Sequence, residues 1–157
     1  MLRAMLADIM GSMAHVLVID DEDGVLAALK RRLERHGLEV MTASTADDGI
    51  RLIQHSTKPY DVIVTDMSME RPDAGLNVLN AAFARDLFSQ VIVMTAYGNV
   101  SNAVECMRRG AFDYIEKNSP NVDVFELLTT KIDQALERRQ RDARTVERWD
   151  RATKPEE

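Results

Sequence analysis

Four short apolar runs recur along the chain, and a polar group stands at the end of each. His15-Val16-Leu17-Val18-Ile19 leads into Asp20-Asp21, and Asp61-Val62-Ile63-Val64-Thr65 into Asp66. Val91-Ile92-Val93-Met94 ends at Thr95, and Phe112-Asp113-Tyr114-Ile115 at Glu116-Lys117. Short β-branched runs without polar alternation suit strands buried on both faces, as in a parallel sheet. Parallel neighbours need a crossover, and the segments between the runs carry helical spacing.

Val25, Leu26, Leu29, Arg32, Leu33 and His36 mark a first helix that stops at Gly37, a C-terminal cap. Residues 38–43 alternate apolar and polar, as an edge strand should. Thr45 is placed to cap a second helix burying Ile50, Ile53 and the stem of Gln54, and Lys58-Pro59 breaks it. Leu76, Val78, Leu79, Ala82 and Phe83 carry a third helix after Gly75. Gly98-Asn99 opens a fourth with Val100, Ala103, Val104 and Met107 inward, and Gly110 ends it. Residues 122–148 read as one long helix. The alternation implies a doubly wound α/β fold with right-handed crossovers, whose site lies beyond the carboxyl ends of the strands.

Composition narrows the function classes. The 157 residues suit one domain, and a net charge of −6 argues against a surface built for nucleic acid. The lone Cys106 excludes an internal disulfide and fits a reducing compartment. No apolar stretch has the length of a membrane span. Leu2, Met5, Leu6, Ile9, Met10 and Met13 recur at helical spacing, so residues 1–14 read as a leader or a short amphipathic segment. Residues 138–157 read as an extended charged helix and a disordered tail. His15, His36 and His55 lack ligand spacing.

The polar groups at the strand ends would gather on one edge of the sheet: Asp20, Asp21, Asp66, Thr95 and Lys117. Clustered carboxylates raise one another's pKa, and a hard cation relieves that repulsion. Mg²⁺ is the candidate, with Asp21 and Asp66 as direct ligands, Asp20 acting through water, and the backbone carbonyl of Ser68 completing the protein's share. Asp66, alone on its strand, is the candidate nucleophile toward phosphorus. Lys117 is suited to a phosphoryl oxygen, and the Thr95 hydroxyl to another.

Val18-Ile19-Asp20-Asp21-Glu22, Val64-Thr65-Asp66-Met67-Ser68-Met69, Met94-Thr95-Ala96-Tyr97-Gly98 and Ala111-Phe112-Asp113-Tyr114-Ile115-Glu116-Lys117 resemble the receiver domain of bacterial two-component response regulators. The resemblance covers residues 15–137. It implies a flavodoxin-like five-stranded parallel sheet in the order 2-1-3-4-5, flanked by five helices. It implies phosphorylation of Asp66 by a sensor histidine kinase or a phosphotransfer protein, with Mg²⁺ on Asp20, Asp21 and Asp66. Thr95 and Tyr114 would form the switch pair, and Ser68 and Tyr97 would tune adduct lifetime. The responsive surface would comprise the fourth helix, the last strand and the terminal helix. A downstream protein or output domain would bind there, or a second copy as a homodimer, in the cytoplasm. No direct contact with nucleic acid or membrane is expected, nor turnover on an external substrate.

Two departures from the family pattern stand out. Asn118 follows Lys117 where proline is usual; a cis bond before a non-proline residue costs about 3 kcal/mol, so a rebuilt loop is expected. Met69-Glu70 replaces Met-Pro, and residues 71–75 form a loop about one residue longer. Two other classes compete. Aspartyl-phosphate phosphatases and mutases place a second acid two residues after the nucleophile, where this chain has Ser68. A pseudo-receiver, docking without phosphorylation, would be expected to lose an acid or the lysine; none is lost, but the altered Lys117-Asn118 loop keeps this alternative open.

Overall fold

The computed structural model describes residues 13–96 and 100–155. The expectations for the leader at 1–12, for Tyr97, for the Gly98-Asn99 helix start and for 156–157 fall outside them. In chain order the elements are β1 (His15–Ile19), α1 (Asp23–Arg35), β2 (Glu39–Ala43), α2 (Ala46–His55), β3 (Val62–Asp66), α3 (Ala74–Arg85), β4 (Gln90–Thr95), α4 (Val100–Arg108), β5 (Asp113–Glu116) and α5 (Val124–Thr153). The strands form one parallel sheet in the order β2-β1-β3-β4-β5, as expected. β1, β3 and β4 lie inside it, which is why their runs are apolar on both faces. β2 is an edge, with Glu39 and Met41 exposed on either side of buried Val40.

Side-chain parity divides the core. Leu17, Ile19, Ile63, Val91 and Val93 face α2, α3 and α4 through Ile53, Val78, Leu79, Ala82 and Cys106. Val16, Val18, Val62, Val64, Ile92, Met94 and Ile115 face α1 and α5 through Leu26, Leu29, Leu33, Leu128 and Ile132. α1 ends where Gly37 takes φ +88°, a left-handed cap open to glycine without strain. Thr45 Oγ1 caps α2 by accepting from Asp48 N at 3.1 Å.

Two helices are rotated from expectation. α2 turns Gly49 onto Ile19, close enough that a Cβ would collide with the isoleucine, and this carries Gln54 to the exposed side. α4 buries Ala103 and Cys106, with Cys106 Sγ 3.4 Å from Met67 Sδ. Val104 and Met107 therefore face outward, 41% and 39% exposed. Small side chains let α4 sit close to the sheet, and that closeness outweighs the larger apolar area at 104 and 107.

α5 is a single helix of 30 residues. Its buried stripe runs Leu128, Ile132, Ala135 and then on through Arg139 and Ala143, beyond the last large apolar position. Arg139 Nε lies 2.9 Å from Asp61 Oδ1, and its Nη2 lies 2.8 Å from Asp86 Oδ2. The other oxygens of the two acids accept from His15 N and Phe88 N. This buried ion cluster fastens α5 to the opposite end of the sheet from the site.

Candidate functional site

The carboxyl ends of β1 and β3 carry the acids, and the loop after β5 carries the amine. Asp20 is 1% exposed and fully engaged. Its backbone N–H donates to Ala43 O at 3.1 Å, tying it to the end of β2. Its Oδ1 accepts from Glu22 N at 2.9 Å, holding the first turn of α1, and its Oδ2 accepts from Lys117 Nζ at 2.6 Å. Asp66 is 8% exposed, and its Oδ2 accepts from the same ammonium at 3.0 Å. Asp21 is exposed beside them. One oxygen from each of Asp20, Asp21 and Asp66 lies within 4.8 Å of the others. Three carboxylate oxygens at that spacing, one of them open to solvent, fit a hard divalent cation that keeps part of its water shell.

The electrostatics follow from this crowding. Burial raises the pKa of Asp66 above the ordinary carboxylate value; the hydrogen bond and charge of Lys117 oppose this, and the charges of Asp20 and Asp21 reinforce it. For Lys117, burial works against the ammonium, but hydrogen bonds and charge from Asp20 and Asp66 outweigh it and raise its pKa. The pocket thus holds an ammonium between two buried carboxylates.

Lys117 reaches this place although proline does not follow it. Lys117 N donates to Thr95 O at 2.7 Å, which extends the β4–β5 pairing by one residue. The chain then turns through Asn118 at φ +56°, a left-handed conformation that asparagine accepts more readily than most residues. The peptide bonds of the described residues are all trans.

Thr95 is 1% exposed, and its Oγ1 has no hydrogen-bond partner among the described residues. A buried hydroxyl left unpaired costs about 1–3 kcal/mol, so its presence asks for a reason outside packing. Tyr114 is half-buried against the α2–α4 side of the core. It also lines a cavity of about 300 Å³ with Ile115, Ser119, Val122 and Leu127. β4 and β5 pair Val93 with Tyr114 and Thr95 with Glu116, so Thr95 and Tyr114 share a face, offset along the strands. Ser68 is exposed at the start of the loop after β3.

Two contacts of consequence escaped sequence reasoning. Glu70 Oε1 accepts from Ala46 N at 3.0 Å, joining the loop after β3 to the start of α2. Arg139 lay in a charge run that read as an extended charged helix beyond the domain; its signal was the spacing of Leu128, Ile132 and Ala135, which continues to 139 and 143.

The model for the response regulator receiver domain matches residues 16–129. Among curated proteins, the chain is 31% identical over 122 residues to the photosynthetic apparatus regulatory protein RegA of Rhodobacter capsulatus, covering 78% of this chain and 65% of that protein. It is 36% identical over 135 residues to the transcriptional regulatory protein FixJ of Azorhizobium caulinodans, covering 83% and 61%. The chain thus spans just under two thirds of the length of these relatives. Among solved structures, a response regulator receiver domain protein from Clostridium thermocellum superposes with TM-score 0.73 at 34% identity, covering 82% of this chain and 98% of that one.

Proposed function

The chain belongs to the response regulator receiver family of two-component systems, and on that premise we propose that it accepts a phosphoryl group on Asp66 and converts the adduct into a changed protein-binding surface. The observation that carries this reading is the Lys117 ammonium bridging buried Asp20 and Asp66 beside exposed Asp21. The donor is a sensor histidine kinase or a phosphotransfer protein. A carboxylate oxygen of Asp66 forms the new bond to phosphorus, the P–N bond of a phosphohistidine breaks, and the departing imidazole keeps its electron pair and takes a proton from water.

Asp20, Asp21 and Asp66, with the backbone carbonyl of Ser68, would hold Mg²⁺, which when bound supplies positive charge to the phosphoryl oxygens. Lys117 exchanges its bond to Asp66 for one to a phosphoryl oxygen. Thr95 donates its unpartnered hydroxyl to another, and its shift makes room for the Tyr114 ring. The face formed by α4, β5 and α5 then favours a second arrangement, to which a downstream protein or output domain binds. Ser68 and Tyr97 are the residues that set the lifetime of the adduct. The chemistry stays on this chain's own side chain, with no external substrate turned over. Residues 15–137 act as the receiver module, α5 continues past it with Arg139 and Ala143 still buried, and the setting is the cytoplasm.

The test is to incubate the chain with Mg²⁺ and a small acyl phosphate and record intact mass. One added phosphoryl group, absent from Asp66→Asn and without metal, supports the reading. No adduct with a small donor or with a panel of phosphorylated kinases would leave only a docking module.

A further inference from the structure

Beside the acidic pocket, the loop after β3 departs from the Met-Pro pattern of the family, and its crown is attached to α2. Its base is closed by Met67 N donating to Met94 O at 2.8 Å and by Gly75 N donating to Met67 O at 3.0 Å. At Gly75 the backbone passes so near that a Cβ would lie 3.0 Å from Met67 Cα and 3.3 Å from Asp66 O. The base therefore sits directly against the residue that carries the site. The crown of the loop is held from outside. Glu70 Oε1 accepts from Ala46 N at 3.0 Å, at the first residue of α2, and Arg71 Nη2 lies 3.3 Å from Asp47 Oδ1. Within the loop, Met69 N reaches Arg71 O at 3.4 Å and Ser68 Oγ reaches Pro72 O at 3.5 Å, while Ala74 N donates to Arg71 O at 3.2 Å where α3 begins.

Ser68 therefore sits between a fixed base and an external anchor. An unpaired N–H at a helix start, with the positive end of the helix dipole behind it, is a strong partner for a carboxylate. Arg71 and Asp47 are each at least half exposed, so their pair adds little. The stiffness that a proline at position 70 would give through its fixed φ is absent. The Glu70 carboxylate replaces it with a bond to a different element.

We propose that Glu70 is a positioning residue for the divalent cation: by capping α2 it holds the segment at Ser68 in the place its backbone carbonyl needs to act as a ligand. This rests on the reading of the acidic pocket as a Mg²⁺ site. Partners of metal ligands act by orientation, and losing one typically weakens metal affinity about ten-fold or more. Glu70 acts through the loop and touches neither the cation nor the phosphoryl group.

The experiment titrates Mg²⁺ into the unphosphorylated full chain and its Glu70→Ala and Glu70→Gln variants by calorimetry, with amide exchange across residues 46 and 67–75 followed without metal. Glu70→Ala is expected to weaken Mg²⁺ binding by roughly ten-fold and to speed exchange at Ala46. Glu70→Gln keeps an acceptor oxygen for Ala46 N and is expected to bind Mg²⁺ within about two-fold of the parent chain. Wild-type affinity in Glu70→Ala overturns the proposal and leaves the metal site standing. Equal losses in both variants overturn it too, since the effect would then be the nearby charge. If the parent chain binds no Mg²⁺, the site reading falls and the proposal with it. Unchanged exchange at Ala46 in Glu70→Ala refutes the cap independently of metal.

Discussion

Replacing Arg139 by methionine leaves a stem in the helix and removes the charge on which two acids depend. Asp86 is fully buried, with a side-chain exposure of 0%, and Asp61 retains 13%; Arg139 itself retains 3%. Without the guanidinium, Asp86 keeps only its bond from Phe88 N, and Asp61 its bond from His15 N. Breaking a buried pair from one side costs about 3–5 kcal/mol, because a charge stays behind in a dry place. Asp61 regains some water and moderates this. Arg139 Nη1, buried without a partner among the described residues, is removed as well, which recovers part of one desolvation penalty. The low end, about 3 kcal/mol, is therefore expected, with a fall in the thermal midpoint of roughly 6–12 °C. Urea denaturation of the parent chain, Arg139→Met, and the double variant with Asp86→Asn measures it. The double variant should recover about 1–3 kcal/mol, because asparagine still accepts from Phe88 N and carries no charge. A loss below about 1 kcal/mol for Arg139→Met would make the cluster no better than a surface pair and refute the reasoning.

Other expectations concern the pocket. Thr95→Val removes an unpaired buried hydroxyl, so chemical denaturation should show equal or greater stability, by up to about 1 kcal/mol, while the adduct no longer alters the α4–β5–α5 face in amide exchange. Lys117→Met leaves Asp20 and Asp66 facing each other unneutralised; thermal scans should show a metal-free loss of about 1.5–3 kcal/mol, largely restored by Mg²⁺. The raised pKa of Asp66 means that the folded chain holds its proton at pH values where the unfolded chain has released it. Metal-free stability from this group therefore falls as pH rises from the ordinary carboxylate value through the raised one, and Asp66→Asn should remove that slope.

The edge of the sheet was legible because strand burial and strand termination were written in the same residues. Asp20, Asp66 and Thr95 follow apolar runs directly, so locating the strands also located the polar groups. Helix faces were less legible. In α4 two overlapping arcs are apolar, one through Val104 and Met107 and one through Ala103 and Cys106, and the choice depends on Met67 across the interface. Periodicity within a helix carries no information about its neighbour. Gln54 was misplaced for the same reason, since Gly49 meeting Ile19 sets the rotation of α2. Arg139, Asp61 and Asp86 are distant in sequence and individually ordinary, and only the packed fold makes them partners. Glu70 was visible as a departure from the family pattern, but its bond to Ala46 depends on where α2 begins.

The central claim is that Asp66 is the phosphoryl acceptor. It is tested most directly by digesting the acyl phosphate-treated chain under mild acid and locating the adduct by tandem mass spectrometry. The account predicts a single phosphoryl group on the peptide containing Asp66, formed only with Mg²⁺ and removed by hydroxylamine as an acyl phosphate should be. A hydroxylamine-resistant adduct on a serine, threonine or histidine, with Asp66 unmodified, would contradict it.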